Sequence, residues 1–468
     1  MATLEVDNME YSTPELAQTA YVTNATSGAT GGTITTDGNY TVHTFTSSGT
    51  FTPFNSGNAE ILIVAGGGAG GNRHGGGGGG GGVIHIPVAT LTATAYTVTV
   101  GNGAPTNTAG TDATGQNGSD SVFSGDSKTE TASGGGGGGA YTGHSATNGG
   151  GGGGGRGESG TPPGGSGVQS VTNDFGSATG YAYNGGMGNV GGEDERIGGG
   201  GGGAGGAGTG ITGTKPTGGA GHLNDISGTS YYYSGGGGGG VWSSAVVAGN
   251  GGTGGGGGGG SANAGGAGTG GTGGSANGFN GDTSANGGAG GVNTGGGGGG
   301  SGQANYGGFM GNGGAGGSGI VIIRYLTSSQ SYLGSFSEST IKTQGSYALK
   351  IQATQTYSLN KTLIKTFSSN QDLSGVNTLK LDMRASRTGT NVKLGLHDTG
   401  GTTTEITPTI ITADTYETKT WDLSAVADSD KNAIDTFTIT PTNADAANTI
   451  YLDNFEIAQA IDVFGIIT

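Results

Sequence analysis

The chain contains no cysteine among its 468 residues. A disulfide framework, a cysteine-ligated metal and a thiol nucleophile are therefore excluded. Proline is scarce, at nine residues, and the G-X-Y period is missing, which excludes a collagen triple helix despite abundant glycine. Nowhere do about 18 apolar residues run together, which argues against a membrane-spanning helix. Cations are few. Sixteen basic against thirty-two acidic residues leave a net charge of -16, a surface that repels a phosphate backbone and argues against a nucleic-acid partner. The acid excess reads first as a solubility feature and, more sharply, as a source of calcium ligands. The first twenty residues, MATLEVDNMEYSTPELAQTA, show no basic segment followed by an apolar core, so neither a signal nor a transit peptide is read there.

What the chain has instead is glycine. Of 118 glycines, 104 fall between Gly66 and Tyr325 and only eight lie beyond Thr327. The shift divides the sequence into a polar N-terminal arm (1–30), a glycine-rich domain (31–326) and a C-terminal module (327–468). Short β-branched and aromatic runs at YTVHTFT, TFTPF and AEILIVA open the glycine-rich domain as strands. In AYTVTV, Tyr96, Val98 and Val100 alternate as in a half-buried strand. Near the end, GIVIIRYL is apolar on consecutive positions, as is EILIVA, so the two are expected to pair as strands covered on both faces.

Seven runs of six or more glycines lie between these strands, at 75–82, 134–139, 149–155, 198–203, 235–240, 254–260 and 295–300. Their spacing is irregular, which argues against a period-locked solenoid. A flexible linker is the simplest reading of such runs. Yet strands enclose them at both ends, and a second reading is available. An extended left-handed helix with three residues per turn leaves its N–H and C=O groups pointing sideways. Packed side by side, such helices satisfy one another's backbones, and only glycine permits so close an approach. Ordering eight glycines costs on the order of 8–16 kcal/mol, so one run could not do this alone.

The succession AEILIVAGGGAGG, VIHIPV, YTVTVGNG, GQNGSDSVF and finally GGAGGSGIVIIRY resembles the glycine-rich domain of bacteriophage tail-fibre and other virion proteins. It is also similar to the glycine-rich adhesin tips of some phage fibres and, more distantly, to the glycine-rich extracellular region of certain receptor tyrosine kinases. The likeness covers about residues 40–326. It implies a polyglycine II helix bundle on a β base, displayed on a virus particle.

Beyond Thr327 the alternating strands YALKI, LIKTF, LKLDMRA, VKLGL, EITPTII, TYETKTWDL, IDTFTIT and TIYLDNFEI suit a two-sheet antiparallel sandwich. The alternation slips across Asp453 and Asn454, where a bulge is expected. The stretch SSNQDLSGVNTLKLDMRASRTGTNVKLGLHD, with WDLSAVADSDKNAIDTFTIT and IYLDNFEIA, resembles jelly-roll carbohydrate-binding modules of the galactose-binding-like type. That resemblance implies a structural calcium held by Asp453, with Glu338 and the Gly345 carbonyl as partners; the alternative is a carboxylate that serves the bulge alone. Trp421 reads as core rather than sugar platform. Candidates for a sugar-binding face are Tyr357, Tyr416, His397 and Asp398.

The aromatic interruptions of the glycine blocks supply further binding candidates: Tyr181 and Tyr183, then Tyr231, Tyr232, Tyr233 and Trp242, with Tyr306 and Phe309. Such rings cannot enter a close-packed glycine lattice, so they either jacket its sides or sit in loops that meet sugars or proteins. Six dispersed histidines show no ligand spacing. The G-x-G-x-x-G matches do not open a helix in a βαβ unit, and no phosphate-loop motif or serine elbow occurs. The acids Glu193 to Glu195 could form a glycosidase pair, but a charged loop between glycine blocks is the plainer reading.

The expectation is thus a non-enzymatic, all-β virion protein found on the virus particle or outside the cell. It would be a phage fibre or adhesin component that joins other virion proteins through its N-terminal arm and recognises a host-surface glycan or protein. The purely structural alternative is a capsid decoration protein or self-assembling fibre subunit; a polysaccharide depolymerase ranks third. Homo-oligomers are common in fibres, although no heptad pattern fixes a trimer.

Overall fold

A computed structural model describes residues 29–459 except 109–111, 142, 159, 191–195, 211–214, 243–245, 263–265, 304–309, 328–332, 346 and 355–357. The expected N-terminal arm lies almost wholly outside the described residues. The chain forms two compact units, one of Ala29–Tyr325 and one that contains the residues from Leu326 onward. Among the described residues the regular structure is β, with one short 3-10 turn at Asp428–Asp430 and no α-helix.

The first unit is built on two antiparallel sheets. One has six strands, in the order Thr33–Asp37, Tyr40–Phe45, Ile320–Leu326, Gly57–Val64, Val83–Leu91 and Thr179–Tyr181. The doubly apolar runs pair as expected, Ile320 opposite Val64 and Ile323 opposite Ile61. Both faces of these strands are covered. Ile61 and Ile63 join Phe51, Tyr96, Phe123 and Phe175 on one side, while Leu62 and Val64 join Val42, Ile226 and Tyr233 on the other. A four-stranded sheet, Gly49–Phe51, Tyr96–Thr99, Ser121–Gly125 and Lys128–Ala132, contributes the aromatic part of the first cluster.

The glycine runs leave these sheets as buried, extended segments with neither α-helix nor β-ladder, and their hydrogen bonds explain how. From Gly75 to Gly82, every third N–H meets the same neighbour. Gly75, Gly78 and Gly81 donate to the carbonyls of Ser301, Gly298 and Gly295; Gly76, Gly79 and Gly82 donate to Gly139, Gly136 and Ser133; Gly77 and Gly80 donate to Gly199 and Gly202. The carbonyls of the same run accept from three other segments, through Gly68 and Gly71, Gly151 and Gly154, and Gly237 and Gly240. Six segments thus surround one. No backbone polar group in the run is left to water, which removes the usual penalty for burying a loop.

The packing also explains the residue type. A Cβ built on Gly78 would stand 2.1 Å from the Gly68 carbonyl oxygen, one on Gly237 2.0 Å from that of Gly298, and one on Gly154 2.0 Å from that of Gly199. These obstacles are backbone atoms, so no rotamer change relieves them.

In the second unit, two antiparallel sheets enclose one core. The first has the order Leu333–Glu338, Ala348–Ala353, Asn448–Gln459, Val376–Ala385 and Glu417–Asp422; the second has Leu363–Gln371, Ile434–Pro441, Val392–Asp398 and Thr403–Ile406. Leu379, Leu381 and Met383 from one sheet meet Leu394, Leu396, Phe437 and Ile439 from the other. Trp421 lies in this core at 2% exposure. The anticipated bulge is present: the pairing of Asp382 with Asp453 and of Lys380 with Glu456 leaves one extra residue, and Asn454 takes φ 47°. The strand expected over EITPTII ends at Ile406, before Pro408, which has no N–H for a ladder.

Candidate functional site

The outer face of the sandwich's four-stranded sheet carries charged and polar side chains on three adjoining strands. Along Val392–Asp398 the apolar residues Val392, Leu394 and Leu396 turn inward, so Lys393, Gly395 and His397 share the outer face. Lys393 Nζ lies 2.9 Å from Glu405 on one neighbouring strand, and His397 Nδ1 lies 2.7 Å from Asp435 on the other. Between the pairs, Gly395 is covered by Thr438, with Thr403 and Glu405 beside it; a Cβ there would stand 2.5 Å from Thr438 Oγ1. Lys393 and His397 are four residues apart, about 13 Å along a strand. The face therefore offers one partly exposed ion pair and one hydrogen-bonded His–Asp pair, with the Thr438 hydroxyl between them.

The other three candidates for a sugar face are placed differently. Asp398 is 2% exposed and accepts from the Gly400 and Ala433 amides at 2.8 Å, so it closes a loop. Tyr416 is on the other sheet's side, its hydroxyl donating to the Ile341 carbonyl at 3.0 Å; burial, then the charge of Asp453, pushes its pKa up. Tyr357 lies outside the described residues.

The calcium site implied by resemblance does not assemble. Asp453 Oδ2 accepts from Thr343 N at 2.5 Å, Thr343 Oγ1 at 3.0 Å and Gln344 N at 3.0 Å, while Oδ1 accepts from Asn454 N. Glu338 Oε1 accepts from the Thr340 and Ile341 amides, and the Gly345 carbonyl accepts from Lys342 Nζ at 2.6 Å. Calcium needs six to eight free oxygen ligands. Here the three intended donors already hold N–H groups, and an ammonium stands at the carbonyl. These residues do not fit a calcium ion as arranged. Among the described residues no group of three or more His, Asp or Glu converges elsewhere.

The aromatic candidates of the glycine-rich domain do not gather on one surface. Tyr231 and Tyr233 belong to the strand Tyr231–Tyr233, and with Tyr181 they pack on the six-stranded sheet; Tyr233 is 1% exposed and Tyr181 stacks on His222 at 3.8 Å. Tyr232 borders Gly273, and Tyr183 is 45% exposed. Trp242 stands at the opposite end. There the run ends 75, 139, 154, 198, 240 and 301 are linked by backbone hydrogen bonds, and the residues that abut them converge. Arg196 pairs across a small sheet with Trp242. Its guanidinium lies 4.6 Å from the Tyr141 ring centre and 5.6 Å from that of Trp242, while Arg73 lies 4.4 Å from Tyr141. His74 contacts both rings, at 5.5 and 5.7 Å.

Arg73, His74, Tyr141 and Arg196 were not among the sequence candidates. The available signal was their position: each directly adjoins a glycine run, or stands within two residues of one. Tyr306, Phe309 and the acids at 193–195 lie outside the described residues.

A family model described as a glycine-rich domain matches residues 46–293, more than half of the chain. The chain belongs to this family. The glycine-rich domain family thus accounts for the segment from the strand Gly49–Phe51 through six of the seven runs. No curated protein matches the chain. Among solved structures, it is similar to the family 30 carbohydrate-binding module of a Clostridium thermocellum cellulosomal cellulase, at 15% identity over 28% of this chain and 88% of that one, with a TM-score of 0.24. It is also similar to the family 11 module of another cellulosomal cellulase of that organism, at 12% identity over 28% and 91%, TM-score 0.21, and to an exo-beta-agarase, at 13% identity over 28% and 22%, TM-score 0.24. The chain spans less than a quarter of the agarase.

Proposed function

We propose that this protein is a non-enzymatic attachment component of a virus particle, a phage fibre or adhesin protein, that recognises a glycan through the outer face of its four-stranded sheet. One observation carries the glycan reading: the Lys393–Glu405 and His397–Asp435 pairs flank Gly395 on one face of the sheet, with the Thr438 hydroxyl between them. Sugar hydroxyls both donate and accept, and charged partners on a fixed strand bond them in both directions. The virion reading rests on the resemblance of the strand motifs around the glycine runs.

In this reading the glycine runs are polyglycine II helices. The period of three in their hydrogen bonds supports it, since a helix of three residues per turn presents each neighbour with every third amide. Such a bundle would act as a rigid spacer. The strand Thr33–Asp37, exposed along most of its length at the edge of its sheet, favours a second reading, a decoration or fibre subunit that pairs edge to edge.

The test is a glycan array probed with the full chain, followed by calorimetric titration of any ligand found. Binding that falls at least tenfold in His397→Ala and in Glu405→Gln, with folding retained, is expected. An array silent for folded protein, or binding indifferent to both changes, would move the assignment to the structural reading.

A further inference from the structure

We propose that the end of the glycine-rich domain remote from its six-stranded sheet holds a second binding site, specific for a carboxylate and built on Arg196. This goes beyond the sandwich face. Only the choice of a sugar as the carrier of the carboxylate rests on the attachment reading.

The domain from Ala29 to Tyr325 holds just six lysines and arginines, and four of them, Arg73, Arg156, Arg196 and Lys215, stand at this end. Two of the arginines have partners. Arg73 meets Asp112 at 3.0 Å and Gln303 at 3.2 Å, and Arg156 pairs with Glu158. Arg196 has no acceptor among the described residues. It is instead held by ring contacts, close to both Tyr141 and Trp242, with Trp242 directly opposite on the neighbouring strand. A guanidinium fixed through its face keeps its N–H edge for a planar, two-oxygen acceptor, and a carboxylate has that shape.

A second observation marks the same place as incomplete. His74 is 1% exposed, and neither ring nitrogen has a hydrogen-bond partner among the described residues; Gln303 approaches without reaching hydrogen-bond geometry. Buried polar atoms without partners are rare and call for an explanation such as an absent ligand or water. Burial, then Arg196 and Arg73, lowers its pKa to about 3, so His74 adds no third positive charge at neutral pH.

The probes are a galacturonate oligomer, its neutral galactose counterpart, free acetate and a sulfated dextran, titrated against the full chain. The galacturonate oligomer is expected to bind at least tenfold more tightly than the neutral one. That preference should disappear in Arg196→Gln and weaken in Arg196→Lys, which keeps the charge but lacks the fork. Acetate competition would assign recognition to the carboxylate itself, whereas tighter binding of sulfated dextran would overturn carboxylate specificity. Glu193, Asp194 and Glu195 precede Arg196 in sequence, so a variant with all three as amides is included. If it alone bound galacturonate, the chain's own acids would be the occupant and an external ligand would be refuted. Equal binding by wild type and Arg196→Gln would also refute the site. Neither result touches the sandwich face, whose variants are His397→Ala and Glu405→Gln.

Discussion

The strand Val392–Asp398 and the run from Gly75 to Gly82 are of similar length and both help to form an interior, yet they are held by different parts of the chain. The strand turns Val392, Leu394 and Leu396 into a shared core and bonds two neighbours in one plane. The glycine run has no side chain to bury and bonds six neighbours around its axis. In the sandwich, backbone hydrogen bonding accompanies side-chain packing; in the glycine-rich domain it replaces it. The two interiors should therefore fail in opposite ways, one by losing volume and the other by gaining it.

The sharpest way to break the comparison is a pair of single changes. Gly78→Ala sets a methyl 2.1 Å from a backbone oxygen, and a cost above about 3 kcal/mol is expected, beyond the usual overpacking range because no side chain can move aside. Leu394→Ala leaves a cavity and should cost about 3 kcal/mol. Calorimetry should show the first change in the glycine-rich unit alone and the second in the sandwich alone. A tolerated Gly78→Ala would mean that the run is not packed.

Acid separates the units next. Burial lowers the pKa of His43, His74 and His222, all in the glycine-rich unit. Their folded values lie below the unfolded one, so their contribution is complete above about pH 6.5 and declines as pH falls, by up to about 1.4 kcal/mol per pH unit for each proton. In the sandwich, Glu338 and Glu417 have lowered values, and their contribution is lost only through the carboxylate range. Between pH 6.5 and 4.5 the glycine-rich transition should move first, and His74→Phe should reduce its slope.

How much of this contrast was legible in the sequence depended on locality. The pairing of Ile320–Ile323 with Ile61–Val64 was readable because both stretches are apolar on successive residues, and the bulge at Asn454 because alternation slips there. The strand Leu333–Glu338 was not, since LGSFSE alternates weakly. The cluster at Arg196 could not be read from any window: its members come from positions 73 to 242 and meet only because the runs align their ends. The calcium expectation turned on contacts that no motif displays, since Lys342 and the amides of Thr343 and Gln344 hold the oxygens it would use.

That clasp provides a smaller test. Asp453→Asn should destabilise the sandwich by about 1–3 kcal/mol through its unsatisfied amides, while a chelator should leave the wild-type Tm unchanged. A calcium-dependent rise in Tm that Asp453→Asn removes would restore the metal site. The smallest effect is expected at Gly206, where the nearest atom to a built Cβ is 3.6 Å away. Gly206→Ala should be neutral or stabilise by about 0.4–1 kcal/mol through the unfolded chain. Its contrast with Gly78→Ala separates glycine used for packing from glycine merely present.

The most direct test of the backbone-built interior is amide hydrogen exchange across Gly75–Gly82 in the full chain. The expected result is protection comparable to that of the Val392–Leu396 core strand, since every amide in the run is bonded and buried. Exchange at the rate of an unstructured glycine linker would contradict the account.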